Sequence, residues 1–164
     1  MQRKPARGTD ADTGGLATSQ RWTPMKILLA VDGSACTKRM LAYLAAHDEF
    51  LGKGHRYTVL TATMAVPPHA EGFFDRETVA NYYRAEAQDV LKPVRAFIAQ
   101  QGWDAEFVDK VGHAPDAILE AERQGGFDLV VMGSHGHSPL ASVLLGSVTN
   151  KVLNHSRTPV LVVR

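Results

Sequence analysis

An α/β domain built on a parallel sheet with helices on both faces is the fold class this sequence predicts, and three observations predict it. Strand-like and helix-like segments alternate through most of the chain, the pattern that crossover-connected parallel strands produce. Strand candidates such as ILLAV at 27–31 and FDLVVM at 127–132 are nearly continuous apolar runs, as strands covered on both faces require. The length, 164 residues, fits a single domain with its own core and is short for two.

Each element has its own signal. Residues 1–24 are rich in Gly, Thr, Ala and Asp, with Leu16 and Trp22 as the large apolar groups; they read as a flexible extension ahead of a domain spanning 25–164. The first strand, Ile27 to Val31, ends in the polar turn Asp32-Gly33-Ser34. Ser34 is a good N-cap for a helix that turns Met40, Leu41, Leu44 and Ala45 inward until Gly52 and Gly54 stop it. YTVLTATM, from Tyr57 to Met64, is a second strand, broken by the loop VPPHAEGFFD. From Thr78 to Gln101 the positions Val79, Tyr83, Ala87, Val90, Leu91, Val94 and Phe97 keep helical spacing. Pro93 predicts a kink or a division there, because proline removes an amide donor and crowds the preceding turn. A third strand over Asp104 to Lys110 leads into a helix in APDAILEAERQGG, with Ala114, Ala117, Ile118 and Ala121 inward, Pro115 in the first turn and the Gly125-Gly126 pair at its end. Phe127 to Met132, a helix from Val148 to about Asn154, and a strand from Pro159 to Val163 complete the order.

Composition narrows the function. Apolar residues make up 45% and charged residues 21%, near the globular average, and no apolar stretch has the roughly 18 to 20 residues of a membrane helix. The opening MQRKPARGTDADTGG has basic residues with no apolar segment behind them, so no signal peptide is expected. Residues 25–164 hold 14 basic and 15 acidic side chains. That balance argues against a nucleic-acid partner. The single cysteine, Cys36, permits no intramolecular disulfide and suits a reducing compartment, so the expected location is the cytoplasm. Its place near a helix start would favour a thiolate, although a small buried apolar side chain is the commoner use of such a residue.

Three segments then fall at strand carboxyl ends, where open α/β sheets bind ligands. They are Asp32 to Ser34, Ala62 to Met64, and the loop GSHGHSPLASVLLGS from Gly133 to Ser147. Glycine either reaches backbone angles other residues avoid or lets another group approach the main chain. A glycine-bearing loop running into a helix offers amides and the positive end of the helix dipole, and both suit phosphate. Ser147 and Thr149 add hydroxyls at the helix start. The plainer alternative is that Gly133 and Gly136 shape a tight turn while Gly146 and Ser147 begin and cap the helix. Neither a Walker A sequence nor G-x-G-x-x-G occurs, which argues against a P-loop ATPase and a nicotinamide dehydrogenase.

The spacing is G-x-x-G at 133–136, nine residues, then Gly146-Ser147. It resembles the nucleotide-binding signature of the universal stress protein family, in the branch that binds ATP. MKILLAVDGS, VGHAPDAILEAE, FDLVVMGSHGHS and GSVTNKVLNHSRTPVLVVR resemble further family segments, so the likeness covers 25–164. It implies a three-layer α/β/α sandwich of the adenine nucleotide alpha hydrolase-like, Rossmann-like kind, with five parallel strands in the order 3-2-1-4-5 and ATP, or AMP or ADP, across the carboxyl edge. Carried over by position, Asp32 lies near the ribose and phosphate end with Ser34 close by, Ala62 offers backbone hydrogen bonds to adenine, and Ala30 and Met132 flank the site at their strand ends. Gly133, Ser134, His135 and Gly136 surround ribose and phosphates, followed by His137, and Gly146, Ser147, Val148 and Thr149 meet phosphate from the helix start. Many family members carry Arg where this chain has His137, and residues 133–147 contain no Lys or Arg. Phosphate charge is then left to amides, the helix dipole, Mg²⁺ and Lys151 one turn into the helix. The resemblance also implies a homodimer through the last strand, Pro159 to Val163, whose exposed edge invites pairing.

No catalytic residue is assigned. G-x-S-x-G is absent, and Asp32 and His135 are the residues able to contribute to slow ATP hydrolysis. His135 and His137 stand two apart without a Cys or carboxylate at ligand spacing, which suits loop histidines beside phosphate better than a metal site. The expected role is a dimeric, nucleotide-binding regulator in a stress response. A slow ATPase or phosphotransferase on the same site and an interaction protein with no nucleotide are the alternatives.

Overall fold

The apolar run at 27–29 becomes the middle of the central strand, where Ile27, Leu28 and Leu29 are fully buried. The computed structural model describes residues 23–136 and 145–164. In chain order its elements are β1 (Lys26–Ala30), α1 (Ala35–Ala46), α2 (Asp48–Leu51), β2 (Arg56–Thr63), α3 (Pro68–Glu71), α4 (Arg76–Gln101), β3 (Asp104–Val111), α5 (Ala114–Gly125), β4 (Leu129–Gly133), α6 (Ser147–His155) and β5 (Val160–Val163). The strands form one sheet in the order β3-β2-β1-β4-β5, every pair parallel. Alternation along each strand sends its residues into two cores. On one face Ile27, Leu29, Val59 and Val131 meet Met40 and Leu44 of α1 and Leu91, Val94 and Ile98 of α4. On the other, Leu28, Leu60, Val130 and Met132 meet Ile118 and Leu119 of α5 and Val152 of α6.

Three elements differ from the sequence expectation. Helix α4 runs unbroken from Arg76 to Gln101 with Pro93 inside it. Pro93 lies on the exposed side while Ala87, Leu91, Val94 and Ile98 are buried. Packing along that stripe holds the two halves in one helix, so the chain does not divide at the proline. Its start is also earlier than Thr78, since Asp75 accepts from the Thr78 amide at 2.7 Å and from its hydroxyl at 2.8 Å. Helix α1 ends at Ala46, well before Gly52; His47 separates it from the single turn α2. The loop after β2 contains one further helical turn, α3.

On α5 the buried set is Pro115, Ala117, Ile118, Leu119 and Glu122, whereas Ala114 and Ala121 are half-buried. Of the expected extension, Thr23 and Pro24 alone fall within the described residues, and both are exposed. Among the described residues no helix is long and apolar enough to cross a membrane. What the topology does for function is open a crevice: β1 leads to β2 on one side and the adjacent β4 leads to β5 on the other, so the connections from their two carboxyl ends run in opposite directions.

Candidate functional site

A cleft open to solvent occupies that switch point. From β1 and the turn after it come Ala30, Val31 and Asp32; β2 supplies Leu60 and Ala62, and β4 supplies Met132 and Gly133. Register explains the grouping, because Ala30 pairs with Leu60 on one side and Met132 on the other. Ala114 and Ile118 of α5 close one wall. His135, Gly136 and the α6 residues Val148 and Thr149 close another.

Asp32 is held by its own turn. Its Oδ1 accepts from the Ser34 amide at 3.0 Å and from the Thr37 hydroxyl at 2.8 Å, while its amide donates to Thr37 Oγ1 at 3.1 Å. Ser34 is the N-cap of α1, its hydroxyl accepting from the Thr37 amide. With 5% exposure it supports the turn and does not line the cleft.

At the end of β4, the Ser134 amide donates to Val163 O and the Gly146 amide donates to Ser134 O, both at 2.8 Å. Gly146 therefore closes the loop with its own amide. It also begins α6 without a side-chain cap, and the first amides of a helix have no intrahelical acceptor. Ser147 is exposed at that first turn. Thr149 is 2% exposed and directs its hydroxyl to Gly133 O at 2.9 Å, so it ties α6 to the end of β4. Ser134, also 2% exposed, has its Oγ 3.0 Å from His135 Nδ1. Behind this loop lies Cys36. Burial pushes its thiol up, but hydrogen bonds from Arg39, the His135 amide and Ser134 outweigh burial and bring it below the usual thiol range.

Of the residues expected at the site, Ala30, Asp32, Ala62, Met132, Gly133, His135, Gly136, Val148 and Thr149 come together in the cleft. Ser34 and Ser134 sit behind it, Gly146 and Ser147 lie at the helix start beside it, and His137 falls outside the described residues. Sequence reading missed Val31, Thr37, Leu60, Ala114 and Ile118 as lining residues. For Leu60 the signal was its two-residue offset from Ala62 on a strand; for Thr37 it was its position three after the cap. Lys151, expected to face phosphate, bonds instead to Asp116 Oδ1 of α5 at 2.8 Å. No Lys or Arg is among the described lining residues, and no group of three His, Cys, Asp or Glu among the described residues could hold a metal ion.

The sequence pattern of the universal stress protein family matches residues 24–164. The chain is 32% identical over 150 residues to the universal stress protein YxiE of Bacillus subtilis, covering 85% of this chain and 98% of that protein. Its fold is similar to that of the solved protein MJ0577, of Methanocaldococcus jannaschii, with a TM-score of 0.73 at 27% identity over 87% of this chain and 96% of the other. It is also similar to a family protein of Arabidopsis thaliana solved with AMP bound, with a TM-score of 0.62 at 16% identity over 85% and 91%. With the signature glycines at one sheet edge and a family pattern spanning every described element, this chain belongs to the universal stress protein family.

Proposed function

We propose that this protein binds an adenine nucleotide, ATP or its products ADP and AMP, across the carboxyl edge of its sheet, and acts as a dimeric regulator in a cytoplasmic stress response. The observation that carries the reading is the cleft itself. It lies at the β1/β4 switch point, walled by small and apolar side chains from three strands on one side and by a glycine loop with an uncapped helix start on the other. An apolar recess beside an amide-rich rim suits a purine joined to phosphate. The AMP held by the Arabidopsis protein names the ligand class to try first.

In this reading the base enters between Leu60, Ala62 and Ile118, with the Ala62 backbone as hydrogen-bonding partner. Asp32 meets the ribose. The backbone from Gly133 to Gly136 and the amides of Ser147 and Val148 meet the phosphates, with Gly146 holding loop and helix together. Since no Lys or Arg is among the described lining residues, phosphate charge falls to amides, the dipole of α6 and Mg²⁺. Affinity for ATP over AMP is accordingly expected to depend on Mg²⁺. Dimerisation is assigned to β5, whose outer edge has no strand beside it among the described residues.

The test is direct. Denaturing the purified protein and analysing released small molecules by mass spectrometry should yield an adenine nucleotide, and calorimetry should register ATP binding. Gly146→Val should abolish that binding while unfolding stays cooperative. A Cβ at 146 comes within 3.3 Å of the His135 Cα and of Ser134 O, so the larger side chain displaces the backbone that faces the phosphates. Wild-type affinity in this variant, or no heat with any purine mononucleotide, counts decisively against the site.

A further inference from the structure

Lys151 is the one Lys or Arg of α6, and its ammonium is bound to Asp116 of α5. We propose that Asp116 sets how the cleft ranks nucleotides by phosphate number, by withholding Lys151 from the phosphates at the start of α6; the inference rests on the nucleotide reading above and names the residue that decides between AMP and ATP.

The pair spans two walls of the cleft. Ala114 and Ile118 line it from α5, Val148 and Thr149 from α6; Asp116 stands in the first turn of α5, and Lys151 follows Val148 by three residues on α6. Side chains on a helix lean toward its N-terminus, so Lys151 extends over the first turn of α6, whose amides the nucleotide reading gives to phosphate. There its Nζ donates to Asp116 Oδ1 at 2.8 Å. The second oxygen, Oδ2, lies 3.0 Å from His113 Nδ1, so the carboxylate is held on both sides. These bonds, that of Lys151 foremost, keep Asp116 below the usual carboxylate range and ionised at neutral pH. No Lys or Arg is among the described lining residues, so the direction of this one ammonium decides whether a side-chain cation meets the phosphates at all. Without the carboxylate, Lys151 is left over the first turn of α6 with no anion to hold it, and its attraction for a ligand grows with the charge the ligand carries. A triphosphate therefore gains more than a monophosphate. Lys151 is 40% and Asp116 62% exposed, so either can be replaced without opening the core.

The experiment is calorimetry on the full chain with AMP and with ATP, in EDTA so that no Mg²⁺ masks the phosphate charge. Wild type should not prefer ATP over AMP by more than about fivefold. Asp116→Asn should tighten ATP binding about fivefold, the upper end for an exposed charge pair, and AMP binding less than about twofold. Asp116→Glu, which keeps the carboxylate, should keep the wild-type ranking, and adding Lys151→Met to Asp116→Asn should cancel the gain. A gain that survives in the double variant belongs to the lost negative charge alone and overturns the inference. So does equal tightening of both nucleotides, unchanged ATP affinity in Asp116→Asn, or a larger preference for ATP in the wild type. No heat with either nucleotide in any variant removes the nucleotide reading itself, whereas binding whose ranking does not move overturns this inference alone.

Discussion

Gly133 and Gly136 lack side chains for different reasons, and in neither case is the reason a backbone angle. Positive φ occurs at Gly33, Gly54, Gly102, Gly112 and Gly126, and not at 133, 136 or 146. What matters in the loop is room. A Cβ at 133 would stand 2.7 Å from the Cys36 Cβ and 3.3 Å from its carbonyl carbon, so the glycine lets α1 lie directly against the end of β4. Backbone and a helix-borne Cβ cannot turn aside as a flexible side chain would. Gly133→Ala should therefore lower stability by about 1–3 kcal/mol, read as a lower urea midpoint at unchanged m-value; an unaltered midpoint would contradict the close packing. At 136 the near atom is Asp32 Oδ2, so there the glycine keeps space for the carboxylate. The spacing of these glycines was legible in the chain. Which group each one admits was not, because Cys36 and Asp32 come from the first strand-helix unit and reach the loop through the pairing of β1 with β4.

At the scale of elements, α5 carries a carboxylate that its amphipathic pattern did not announce. Glu122 is 6% exposed and its Oε1 accepts from the Arg157 amide at 2.7 Å and the Thr158 amide at 2.8 Å. It thus fixes the turn between α6 and β5. Burial alone would push this carboxyl up, but the amides of Arg157 and Thr158, with the hydroxyls of Thr158 and Ser156, outweigh it and hold the group below the usual glutamate range. The pH dependence follows from that direction. A group whose folded value is depressed contributes stability that is complete above its unfolded pKa, near 4.3, and is lost as pH falls through the folded value. Glu122→Gln should cost about 2 kcal/mol at pH 7, the scale of hydrogen bonds to a charged group. It should also flatten the acid limb of the stability profile measured by denaturant titration below about pH 5. A variant with the wild-type acid limb would show that the carboxylate does not clamp this turn. Pro93 makes the complementary point: a local rule predicted a kink or a division in α4, and with a buried stripe on both sides of the proline the helix does not divide.

Across the whole molecule, the decisive feature is the asymmetry of the sheet's two ends. Pro159 O accepts from the Val130 amide of β4 and Val163 O from the Ser134 amide just beyond it, so the alternation of a parallel ladder turns the amides and carbonyls of Val160 and Val162 to the outer edge. An edge of this kind seeks a partner, and in the proposed dimer it finds the same strand of a second copy. Val162→Pro removes an outward amide and leaves the bonds to β4. The expected result is a shift from dimer to monomer in sedimentation at micromolar concentration, with ATP binding retained. A variant that still sediments as a dimer would move the interface elsewhere.

By itself the sequence determined the order of the five strands and the four longer helices, the buried runs, the cap at Ser34 and the glycine spacing, because each rests on local periodicity or on the stereochemistry of one residue. The strand order and the proposed nucleotide edge were available through family resemblance, and the observed β3-β2-β1-β4-β5 sheet agrees with that order. Only the tertiary structure decided that Thr37 grips Asp32, that Thr149 serves the loop, that Lys151 turns to Asp116 and that Glu122 goes inside. The physical reason is common to all four. Each is a polar side chain choosing among partners, and with burial and distance setting the worth of a hydrogen bond, the choice exists only once the elements are packed.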